Sequence, residues 1–141
     1  MSRCIRVSAW LAAVVLFMQA LSGCASATVN GISCWGDTES PHWSSRGEVL
    51  IAKTRYSCDR AAALNLTIRI ERMVGSSWVL VEQESKYNLP ADPSEKTTYT
   101  DTYYCVPGST YRSGTRIDSI AGLDVAVQWD YAATPLSTLC I

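Results

Sequence analysis

Ala63-Leu64-Asn65-Leu66-Thr67-Ile68-Arg69-Ile70-Glu71-Arg72 alternates apolar and polar side chains without a break. Leu64, Leu66, Ile68 and Ile70 share one face, and Asn65, Thr67, Arg69 and Glu71 share the other. That two-residue period belongs to a strand with one face on a core and one toward water, since successive side chains of an extended chain point to opposite sides. Gly75-Ser76-Ser77 supplies turn chemistry, and Trp78 to Glu84 reads as the returning arm of a hairpin.

The same period recurs on both sides of this hairpin. Upstream, Glu48 to Cys58 sets Leu50, Ala52, Thr54, Tyr56 and Cys58 against Lys53 and Arg55, and a first strand covers Gly31 to Trp35. Downstream lie Thr97 to Val106, rich in Thr and Tyr, then Tyr111 to Ile120, then Leu123 to Tyr131 with Leu123, Val125, Val127, Trp129 and Tyr131 on one face. The segments Gly36 to Gly47 and Tyr87 to Lys96 read as loops, the second because Pro90 and Pro93 lack the N–H that a ladder needs. The expectation is an all-β antiparallel β-sandwich of about seven strands, because strands at regular spacing with turns between them bury their apolar faces best as two stacked sheets.

The first residues follow another rule. Arg3 and Arg6 precede an apolar run from Ala9 to Met18, ten residues where a membrane-spanning helix needs about 20, and small residues follow. This is the layout of an export signal. It ends in Leu21-Ser22-Gly23-Cys24, which resembles the lipobox of bacterial lipoproteins. In that family the cysteine sulfur takes a diacylglyceryl group and the chain is cut just before it. The resemblance implies residues 1–23 as signal peptide, residues 24–30 as a lipidated tether and residues 31–141 as the β-sandwich domain, with Cys24 as the lipidation site. The expected location is the outer side of the cell membrane. Ala25-Ser26-Ala27 is a competing cleavage site whose use would release a secreted protein.

Export changes how the cysteines read. With Cys4 in the leader and Cys24 lipidated, four remain, Cys34, Cys58, Cys105 and Cys140, and an even number in an oxidising compartment implies two disulfides. Three connectivities are open. The preferred one joins Cys58 to Cys105 and Cys34 to Cys140, and the loop-entropy model leans the same way, at ~4 and ~4.8 kcal/mol against ~3.5 and ~3.8 for sequential pairing. The order Cys58, Trp78, Cys105 resembles immunoglobulin domains, where an inter-sheet disulfide packs on a core tryptophan, so the resemblance implies an immunoglobulin-like sandwich. Trp129 is likewise expected in the core. Cys58, Trp78 and the run Cys105 to Arg112 are also similar to small exported β-domains common in high-GC Gram-positive bacteria.

From Cys24 onward the chain carries ten Lys and Arg against thirteen Asp and Glu, a mild acidity that disfavours nucleic acid or an anionic surface as the main partner. Its single imidazole, His42, sits near Asp37 and Glu39 in an expected loop, which fixes no metal geometry. No Gly-x-Ser-x-Gly turn offers a nucleophile, and Glu82 and Glu84 read as surface charges beside Lys86. Neither catalysis, a metal nor a cofactor is expected. Trp43, Tyr104 and Tyr111 are the candidate binding residues, because amphipathic rings give much contact area at little entropic cost. Along Thr97 to Val106, Tyr99 and Tyr103 share parity with Cys105 and should face inward together with Asp101, paired with Arg112 or Arg116. The partners expected are the membrane, through the lipid, and an envelope protein or cell-wall polymer. A second reading is an inhibitor of an extracellular hydrolase, since Tyr56-Ser57-Cys58-Asp59 resembles the opening of small lipoprotein inhibitors of lysozyme.

Overall fold

The computed structural model describes residues 24–43, 49–100, 103–125, 128–132 and 136–137. Among these there is no helix. The strands are β1 (Cys24–Val29), β2 (Ile32–Thr38), β3 (His42–Trp43), β4 (Val49–Ile51), β5 (Lys53–Cys58), β6 (Ala62–Val74), β7 (Ser77–Ala91), β8 (Lys96–Tyr99), β9 (Tyr103–Tyr104), β10 (Thr110–Ile120), β11 (Leu123–Asp124), β12 (Asp130–Tyr131) and β13 (Leu136–Ser137). All pairings are antiparallel. One sheet has the order β1-β2-β5-β8 and the larger one β11-β10-β6-β7, with β12 and β13 also on β10. A small third sheet, β3-β4-β9, lies at one end.

The alternation in β6 is realised as read: Leu64, Leu66, Ile68 and Ile70 are fully buried. Across from them Leu50, Ala52, Tyr56 and Cys58 of the β4–β5 segment are buried too, so the core lies between the two main sheets. The Thr54 and Thr115 hydroxyls meet in its middle at 2.5 Å, each satisfying the other where water is excluded.

Residues 24–29, within the segment 24–30 expected as a tether, form β1. Asn30 and Gly31, at φ +48° and +74°, make the two-residue turn that joins β1 to β2. Left-handed backbone at both positions matches the twist of the flanking strands, which is why Asn-Gly serves there. Ala25 consequently lies in the core, 2% exposed. Tyr87 to Ala91, expected as loop, continues β7 to fifteen residues. Pro90 is tolerated because β7 is an edge strand whose missing donor faces no neighbour.

Two expected strands divide. Glu48 to Cys58 breaks at Ala52, whose N–H and C=O both bond to Thr100, so β4 and β5 enter different sheets. Thr97 to Val106 likewise becomes β8 on β5 and β9 on β4. Parity does not carry across that break. Thr98 and Thr100 point inward, whereas Tyr99 is 47% exposed. Leu123 to Tyr131 follows β10 as β11 and β12, slipping by two residues between them.

The preferred disulfide pairing is corrected. Cys34 bonds Cys58, with Cα atoms 4.1 Å apart, as directly opposed residues on β2 and β5. The Asp59 N–H donates to the Ser33 carbonyl just beyond the pair, which makes it a narrow, non-hydrogen-bonded position where opposed Cβ atoms are closest. Register brings these two thiols together at no further loop cost, and this outweighs the small entropic lean toward nested loops. The bridge therefore lies within one sheet and does not join the two. Cys24 and Cys105 are also disulfide-bonded, and Cys140 lies outside the described residues.

Candidate functional site

The outer face of β6 is set by the parity of its core face. Because Ile68 and Ile70 point inward, Thr67, Arg69 and Glu71 point outward. Register places Arg112 of β10 opposite Glu71 and Gly114 opposite Arg69, and β12 brings Tyr131 against Gly114. These side chains interleave. The Arg112 guanidinium lies 4.5 Å from the Trp78 ring centre and 3.7 Å from that of Tyr131. Arg69 lies 5.1 Å from Tyr131 and 3.7 Å from Trp129, with Arg116 at 4.9 Å on Trp129. The result is a ladder, Trp78, Arg112, Tyr131, Arg69, Trp129, Arg116, running across four strands or strand flanks. Each cation faces the negative face of a ring.

Glu71 holds the ladder together. Its carboxylate is 5% exposed by residue and accepts four bonds: from Arg69 Nη2 at 2.8 Å, Arg112 Nε at 2.6 Å, Arg112 Nη2 at 2.5 Å and the Tyr131 hydroxyl at 3.1 Å. A buried anion is tolerated when every lone pair is occupied by a charged or polar donor. Burial lowers the Arg69 pKa from its ordinary value while Glu71 opposes that shift, and the group stays cationic. A second chain of bonds flanks the first. Arg116 Nε donates to Asp118 at 2.5 Å, and Thr67 donates to Asp118 at 2.6 Å while sharing a hydrogen bond with Ser85 on β7.

Gly114 makes the ladder possible. A Cβ there would sit 2.9 Å from two carbons of the Tyr131 ring. Gly114→Ala is expected to push the ring out from between the two arginines and to cost about 1–3 kcal/mol, the range for overpacking a filled site. Urea denaturation of parent and variant checks this.

The expectation for the two tryptophans is corrected. Trp78 and Trp129 are half-buried on the outer face instead of filling the core, and Arg112 and Arg116 pair with Glu71 and Asp118. Asp101 lies outside the described residues. Of the candidate binding residues, Tyr111 is fully buried, its ring edge-on to Tyr103 and its hydroxyl accepting from the Val106 N–H. It is a core residue and cannot contact a partner. Tyr104 stands 77% exposed on β9. Trp43 is on β3, opposite Leu50, and its side chain is outside the described set. Tyr56 and Cys58, which suggested an inhibitor motif, are buried.

Asp37 ends opposite Cys24 on β2, and Glu39 is held by Lys53 at 3.3 Å and by Arg55 at 2.5 Å. Among the described residues no group of three or more His, Cys, Asp or Glu side chains could hold a metal. Glu84 pairs with Lys86. A cavity of about 310 Å³ runs beside the open edge of β1, lined by Ala25 to Val29, Ile117, Asp124, Val125, Gln128 and Asp130. Burial raises the pKa of the Asp130 carboxyl above its usual range.

Sequence reasoning missed the ladder because its members come from four separate segments. The outward parity of Arg69 and Glu71 and the lone Gly114 within a strand were the available signals. Compared with family models, curated proteins and solved structures, the chain matches none.

Proposed function

We propose that the chain is an exported lipoprotein, held at the outer face of the cell membrane by a diacylglyceryl group on Cys24, whose β-domain makes non-catalytic contacts with an envelope protein or cell-wall polymer. The observation that carries this reading is that Cys24–Val29 form strand β1. Cleavage before Cys24 leaves β1 whole, while cleavage after Ala27 would remove four of its six residues, among them the buried Ala25. The lipobox cut therefore agrees with the fold, and the Ala-x-Ala cut costs it part of a sheet. The finer description that goes with this reading is a sandwich of immunoglobulin-like outline in which the described bridge lies within one sheet.

A thioether and a disulfide at the Cys24 sulfur exclude each other, so the chemistry of that atom tests the proposal. In the native host, the parent protein is expected in the membrane fraction with its mass raised by a diacylglyceryl group. Cys24→Ser is expected to move to the soluble fraction. Identical fractionation of the two proteins, or a membrane form with Cys24 still in a disulfide, overturns the reading.

A further inference from the structure

Exposed strand edges are normally blunted by charge, proline, bulges or shortness. β7 carries Glu82, Glu84, Lys86, Pro90 and two register shifts, and β8 is four residues long and starts at Lys96. β3, β9, β11, β12 and β13 have two residues each. β1 has none of these devices: Cys24-Ala25-Ser26-Ala27-Thr28-Val29 is uncharged, and its register with β2 is unbroken. The two-residue turn at Asn30-Gly31 makes Val29–Ile32 a hydrogen-bonded pair, and alternation makes Ala27–Cys34 and Ala25–Gly36 the next ones. The N–H and C=O groups of Ser26 and Thr28 therefore point away from β2, toward the open edge, and none of them is bonded among the described residues.

Beside this edge lies the cavity of about 310 Å³, between β1 and the β10–β12 side of the other sheet. Its described lining holds two carboxylates, Asp124 and Asp130, and no Lys, Arg or His. Neither carboxylate has an ion pair among the described residues, whereas Glu39, Glu71, Glu84, Asp92 and Asp118 each have a cation. Asp130 is half-buried opposite Thr115, which lies between the sheets, and burial raises its pKa with no cation opposing the shift. An anion in that position costs the fold free energy, and a cation brought by a ligand removes the cost.

The two carboxylates are set along the edge. A Cβ on Gly36, the partner of Ala25, would lie 3.4 Å from the Thr115 methyl, and the Ser113 hydroxyl bonds to the Glu39 carbonyl, so β2 and β10 run in opposite directions across the core. Asp130, opposite Thr115, is therefore level with Ala25, and Asp124, opposite Ser119, is level with the Val29 end. A chain laid along β1 would take up the Ser26 and Thr28 backbone groups. Its residues opposite Ala25 and Val29 would share the inward face, about 13 Å apart in an extended strand. A second copy does not suit the groove, because β1 has no basic residue and the two cavities would bring four carboxylates together.

We propose that β1 and the groove beside it bind an extended segment of another exported protein by strand addition, with Lys or Arg at two positions four residues apart reaching Asp130 and Asp124. Backbone bonds to Ser26 and Thr28 supply affinity, and the two cations supply specificity. This deepens the reading of a non-catalytic envelope contact and rests on it for the compartment of the partner, while the groove itself does not require the lipid.

The blocked peptide Ser-Thr-Lys-Val-Thr-Val-Lys-Thr-Ser carries this spacing and is titrated into the exported protein, purified from its host in nonionic detergent. Fluorescence anisotropy and amide hydrogen exchange are the readouts. The peptide is expected to bind saturably, about tenfold more tightly than its counterpart with Gln at both Lys positions, and to slow exchange at the Ser26 and Thr28 amides. Asp130→Asn is expected to weaken binding about tenfold and Asp124→Asn, at the more exposed site, about threefold. Ser26→Pro removes an outward N–H, leaves the pairs with β2 in place and is expected to weaken binding about tenfold. The melting temperature of Asp130→Asn should equal or exceed that of the parent, since an amide replaces an uncompensated charge; a lower one with binding unchanged gives Asp130 a structural role and overturns the proposal. Absence of saturable binding at millimolar peptide, equal binding of the Lys and Gln peptides, or binding that Ser26→Pro leaves unchanged also overturns it. So does a dimer in sedimentation that Ser26→Pro dissociates, because a second copy then holds the edge. The mass of the membrane fraction, which tests the lipid on Cys24, is independent of all these results.

Discussion

Glu71→Ala is expected to destabilise the domain by about 3–5 kcal/mol, because removing one partner of a buried ion pair leaves the others charged and uncompensated. Two guanidiniums depend on this one carboxylate, and their side chains are only 18% and 23% exposed, so water replaces little of what is lost. The Tyr131 hydroxyl loses its acceptor in the same step. Glu71→Gln keeps the shape and one acceptor oxygen but no charge, and should fall between parent and alanine variant. Urea denaturation at neutral pH reads the effect. The diagnostic feature is coupling: Glu71→Ala combined with Arg112→Met is expected to cost less than the sum of the single changes, since each removes what the other leaves stranded. Additive losses would mean that the ladder is surface decoration without shared energetics.

The ladder also explains which parts of the fold were legible beforehand. The apolar alternation of β6 is local, so Leu64 to Ile70 could be placed inward from the sequence alone, and all four are buried. The same parity puts Arg69 and Glu71 outward, but their partners depend on register with β10 and β12, which no local pattern encodes. Trp78 was expected in the core because the order Cys58, Trp78, Cys105 resembles that of immunoglobulin domains, and Trp129 was expected there with it. Three arginines gave them another surface to cover. Tyr99 was misplaced for a different reason: parity is a property of one continuous strand, and the chain changes sheets between Tyr99 and Tyr103. Asn30-Gly31 was the plainest signal left unused, since the pair at a tight hairpin with both backbones left-handed is strong evidence for strands on either side. Reading residues 24–30 as tether followed from their small side chains, and small side chains are what an edge strand lying close to β10 can accommodate.

Replacing both cysteines of the Cys34–Cys58 pair with serine is expected to cost about 4–6 kcal/mol, similar in size to the loss at Glu71 but different in kind. Most of the effect of a disulfide falls on the unfolded chain, and closing a loop across a sequence separation of 24 accounts for roughly 3.5 kcal/mol in the loop-entropy model. A packing cost adds to this, because both residues are fully buried and two hydroxyls would have to find partners among apolar neighbours. The double alanine variant separates the two contributions, since it loses the cross-link and some volume but strands no polar group, and it should be less damaging than the double serine. Because the bridge lies within the β2–β5 pairing, the native spectrum of the folded variants should barely change, while the midpoint falls. Equilibrium denaturation of the oxidised parent, the reduced parent and the two variants checks this. If reduction of the parent left the midpoint unchanged, β2 and β5 would be held in register by the Trp35–Ser57, Gly36–Tyr56 and Asp37–Arg55 pairings without help from the cross-link. The buried Cys34 and Cys58 would then serve only as core-filling residues.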